Sequence, residues 1–149
     1  MASCLVGSEM CIRDSISLGS LMATIMFLNV WLIIWPNQKK VIAGTEDAAQ
    51  AGAKAALASR TNTLFSFPML YFMIYSAHIS DGKNYFYEIP GVAASGWNMP
   101  ALYIGTAIIL AIEANAIFGK MRGFMESVKA VIHSGLILTV LFALLVYYY

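Results

Sequence analysis

Residues 29–42 read NVWLIIWPNQKKVI, and the two halves of this stretch suit different solvents. The first half opens on Asn29, is otherwise apolar or aromatic, and continues an apolar run that begins at Ile16. The second half breaks at Trp35-Pro36, adds two amides and delivers Lys39 and Lys40. Tryptophan collects in the headgroup layer of a bilayer and lysine holds the cytoplasmic side, so this boundary is that of a helix leaving a membrane. Pro36 is expected to stop the helix there.

Composition agrees. Hydrophobic residues make up 60% of the 149, charged residues 11%, and the mean hydropathy is +0.71. A soluble domain uses about 25% charged residues, so this chain cannot clothe a surface in water and lipid is its expected partner. The net charge of +1, with no basic run and no aromatic–basic interleaving, gives no sign of nucleic-acid binding.

The first fifteen residues stand apart. LVGSEMCIRDS, residues 5–15, has no periodicity and is what a transposase-type sequencing adapter encodes in one reading frame. Residues 1–15 are therefore read as a non-native leader and kept out of the fold reading. Cys4 and Cys11 fall within it, which removes disulfides, thiolate metal sites and covalent haem attachment from consideration. Residues 16–149 are read as a membrane helical domain, a fragment whose upstream helices are missing.

Four apolar segments, about 16–35, 62–79, 99–118 and 130–149, predict an all-α integral membrane protein with four transmembrane helices. Lipid offers no partner to an unpaired backbone group, and the ten-residue alternation of a barrel strand is absent from the sequence. Pro100 suits a first helical turn after Asn98 as cap, and Pro68 is expected to kink the second span. TEDAAQAGAKAALASR, residues 45–60, predicts a short alanine-rich cytoplasmic or interfacial helix capped by Thr45. Lys39, Lys40, Lys54 and Arg60 lie in loop 36–61, and Lys120, Arg122 and Lys129 in loop 119–129. Loop 80–98 carries only Lys83. The bias puts loops 36–61 and 119–129 in the cytoplasm, and loop 80–98 and the C-terminus in the periplasm of a bacterial inner membrane.

A carboxylate within a span costs about 2.5–3.5 kcal/mol to insert, so Glu113 requires an account. It lies six residues before Gly119, as Asn29 lies six before Trp35, and His133 lies seven after Glu126. At about 1.5 Å per residue, three helices place a polar group within about 5 Å of one depth, and a buried layer of Asn29, Glu113 and His133 is expected. Interhelical glue, with Glu113 protonated or paired, is one reading. A site in which Glu113 and His133 transfer protons is the other. Asn115 is two residues from Glu113 and should meet a different neighbour.

His78 belongs to the outer end of the second span, about 15 Å from His133 along the normal. Either histidine could hold a haem only with a ligand from another helix, and capping the helix end before Asp81 is the simpler role for His78. Met22/Met26 and Met69/Met73 are spaced as packing pairs. Arg60-Thr61-Asn62-Thr63 reads either as a helix start at the headgroups or as an anion or substrate site at a helix N-terminus. No Walker loop, dinucleotide fingerprint, zinc-protease motif or nucleophile elbow is present in the sequence.

Three blocks together, NVWLIIWPNQKKVI, ASRTNTLFSFPMLYFM at 58–73 and AIEANAIFG at 111–119, resemble the urate oxidase N-terminal membrane family over about residues 20–135. The resemblance implies the later half of a larger membrane domain. It also implies oxidation of urate to 5-hydroxyisourate, with electrons leaving through a c-type cytochrome domain. This sequence carries no Cys-x-x-Cys-His. Under that reading Glu113 or His133 accepts the proton, and Asn29, Arg60, Asn62 and Asn115 are the candidate substrate-binding residues. Two other readings stand beside it. One is a haem-binding electron-transfer subunit using His78 or His133; the other is a membrane scaffold or small transporter.

Overall fold

The computed structural model describes residues 3–76, 99–119 and 123–148. These form α1 (Ser3–Leu28), a π-helical stretch (Asn29–Ile34), α2 (Trp35–Ile42), α3 (Ala48–Ile74), α4 (Met99–Phe118), α5 (Gly123–Glu126) and α6 (Val128–Tyr148). No strand occurs among the described residues. Among the described residues three helices are long and apolar enough to cross a membrane: Ser15–Ile42, Pro100–Phe118 and Val128–Val146. Pro100 lies in the first turn of α4, as its missing N–H requires.

Pro36 does not end the first helix. The backbone stays right-handed helical at Leu28, Ile34 and Trp35, so α1, the π stretch and α2 run on as one rod. A proline ring presses on the carbonyl four residues back and offers no N–H. Here the turn before it is widened, and the Trp35 N–H donates to the Val30 carbonyl five residues away. The Asn37 side chain donates to the Ile33 carbonyl at 2.7 Å, supplying a donor within the disturbed turn.

The rod ends at a left-handed glycine, Gly44, with φ of 65°. Gly44 N–H donates to Val41 at 3.2 Å and Thr45 N–H to Lys40 at 3.4 Å, the paired closure of a Schellman ending. The Thr45 hydroxyl also donates to Lys40, so this residue finishes the preceding helix rather than capping the next.

The alanine-rich segment and the second apolar segment form one helix, not two. α3 is 27 residues long, and Arg60-Thr61-Asn62-Thr63 falls inside it rather than at a start. No residue between Ala53 and Phe67 is a glycine or proline. The Thr61 and Thr63 hydroxyls donate to their own helix, at Leu57 and Ser59, both at 3.1 Å. Pro68 is buried within α3. It offers no N–H to the Leu64 carbonyl, which instead faces Gly135 of α6. A Cβ on Gly135 would lie 3.3 Å from that oxygen and 2.7 Å from the Phe67 ring, so glycine sets the closeness of α3 and α6.

α3 is the central helix, in contact with α1, the π stretch, α2, α4 and α6. Its Leu64, Phe65 and Phe72 pack with Leu18 and Met22 of α1, Ile109 of α4, and Val131 and Phe142 of α6. The Phe72 and Phe142 rings meet edge to face at 5.8 Å. Outward surfaces are apolar in their turn, with Trp31, Leu32, Leu110, Ile137 and Val140 all exposed. Apolar residues outside and polar ones at the centre suit a bundle whose outer solvent is lipid.

Candidate functional site

The π stretch begins at Asn29, whose side chain is 2% exposed. Both of its amide hydrogens are used across helices. Asn29 Nδ2 donates to Glu113 Oε2 of α4 at 3.0 Å and to Asn62 Oδ1 of α3 at 3.0 Å. Asn62 Nδ2 in turn donates to the Met26 carbonyl of α1 at 3.1 Å. One side chain from each of three elements thus closes a network with Glu113 at its end, itself only 9% exposed.

Among the described residues Glu113 is held by an amide and by no cation. Among the described residues no donor reaches its Oε1, which leaves one carboxylate oxygen available to a proton or a ligand. A carboxylate positioned in this way can take up and release a proton, and Asn29 keeps it from turning away. Of the expected layer of Asn29, Glu113 and His133, the first two meet, and Asn62 joins them. A second span beginning at residue 62, as the sequence predicts, puts the Asn62 amide at the headgroups. With α3 continuous through the region, Asn62 lies within the bundle.

His133 does not join the layer. It is exposed, and its Nδ1–H donates at 2.7 Å to Lys129 one turn back on α6. Val131, Gly135, Leu138 and Phe142 form the buried stripe of α6. His133 is two residues from both Val131 and Gly135, which turns it to the opposite side of the helix. Depth agreed, but rotation did not.

Arg60 reaches away from the network. Its guanidinium donates to the Met125 carbonyl and, at 2.6 Å, to the Glu126 carbonyl at the end of α5. A cation on the closing carbonyls of a helix is favourable, and here it ties α5 to α3. Asn115 faces another neighbour, as expected: its Nδ2 approaches the Met125 sulfur at 3.9 Å. His78, Asn98 and loop 80–98 lie outside the described residues. No group of three or more potential metal ligands occurs among the described residues.

The fold and site define an all-helical bundle of membrane-crossing type, built on a buried amide–carboxylate network. The chain belongs to the urate oxidase N-terminal family, whose model matches residues 13–89. That match takes in Asn29, Arg60 and Asn62. No curated protein and no solved structure matches the chain.

The chain's own residues do not suit a covalently attached c-type haem. Cys4 and Cys11 are seven positions apart, and neither is followed by histidine.

Proposed function

We propose that this chain is the membrane domain of a urate-oxidising system. Urate and one water become 5-hydroxyisourate, releasing two protons and two electrons, and a c-type cytochrome outside this chain takes the electrons. The observation that carries the proposal is the buried Glu113 carboxylate, held by Asn29 and Asn62 in a member of this family. Glu113 accepts a proton from the reacting purine or water through Oε1, Asn29 fixes Oε2, and Asn62 fixes Asn29. Arg60, committed to α5, holds the inner end of the bundle together and is not assigned to substrate.

In this reading α3 is a fourth crossing helix, its polar centre sheltered by the three more apolar ones. The ends of the helices that meet at residues 36–61 and 119–129 face the cytoplasm of a bacterial inner membrane, and segment 80–98 faces the periplasm.

The test is anaerobic reduction of an oxidised c-type cytochrome by urate, with the full-length protein in detergent. Urate-dependent reduction is expected, slowed by about 100-fold or more in Glu113→Gln, as for loss of a general base. Well-folded protein that transfers no electrons from urate would overturn the proposal.

One observation favours a second reading, a haem-binding electron-transfer subunit without purine chemistry. The Nδ1–H of His133 is tied to Lys129, which leaves the Nε2 lone pair pointing outward, the arrangement of a metal-ligating histidine. In that case His133 would hold the iron together with a residue from a neighbouring helix. A Soret band lost in His133→Ala and indifferent to urate would replace the first reading with the second.

A further inference from the structure

We draw no further inference here: the strongest candidate, the apolar groove of about 500 Å³ between α4 and α6 that holds Asn115 and Ser134 among its walls, carries nothing because nothing in the structure shows what covers it.

Discussion

At the scale of single residues the bundle turns on the two hydrogens of one amide. Asn29 links Glu113 and Asn62, which share no other hydrogen bond among the described residues. Asn29→Ala and Glu113→Ala should therefore be coupled. A double-mutant cycle in thermal or denaturant unfolding is expected to give about 0.6–1.7 kcal/mol, the range for hydrogen bonds between membrane helices. A coupling indistinguishable from zero would mean that the contact does not persist. His133→Ala should leave unfolding unchanged within about 0.5 kcal/mol, since its ring is exposed and bonded only within its own turn. Depth along the membrane normal can be counted from a sequence, and it found Asn29 and Glu113. Rotation about the helix axis placed His133 elsewhere, and α6 packing through Val131 and Gly135 decides that rotation.

At the scale of elements, α3 and α6 pack closely at Gly135. Gly135→Val would drive new methyl groups into the Phe67 ring and the Leu64 carbonyl. The expected loss is about 1–3 kcal/mol, the usual cost of overpacking, read as a lowered unfolding midpoint. Gly123→Ala is the control: an added Cβ there meets nothing within 4 Å, and the midpoint should stay level or rise slightly. Local signals misled at helix boundaries. Pro36 has the chemistry of a stop, yet a widened π turn absorbs its ring and the rod continues. Thr45 has the chemistry of a helix cap, yet Gly44 turns the chain left-handed and Thr45 is spent on Lys40. Each residue satisfied a nearby backbone group, but which group depended on the direction the chain took next.

At the scale of the molecule, the proposed orientation can be tested with thiol labelling in a background lacking Cys4 and Cys11. Ser95→Cys is expected to react with a membrane-impermeant reagent in intact spheroplasts, and Gln38→Cys only after lysis. The reverse pattern would invert the topology and the side from which an anionic purine reaches Glu113. What the sequence determined by itself is the all-helical class: 60% hydrophobic residues and 11% charged ones suit an apolar surround, and such a surround requires helices whose backbones satisfy themselves. It also determined that Asn29 and Glu113, costly in hydrocarbon, had to find partners near one depth. Only the tertiary structure decided that Asn62 completes the network, that Arg60 clamps α5, and that His133 faces outward. Composition and spacing act along one axis, whereas partnership depends on how each helix is turned and how closely its neighbours approach, and here α3 and its glycine contact with α6 set both.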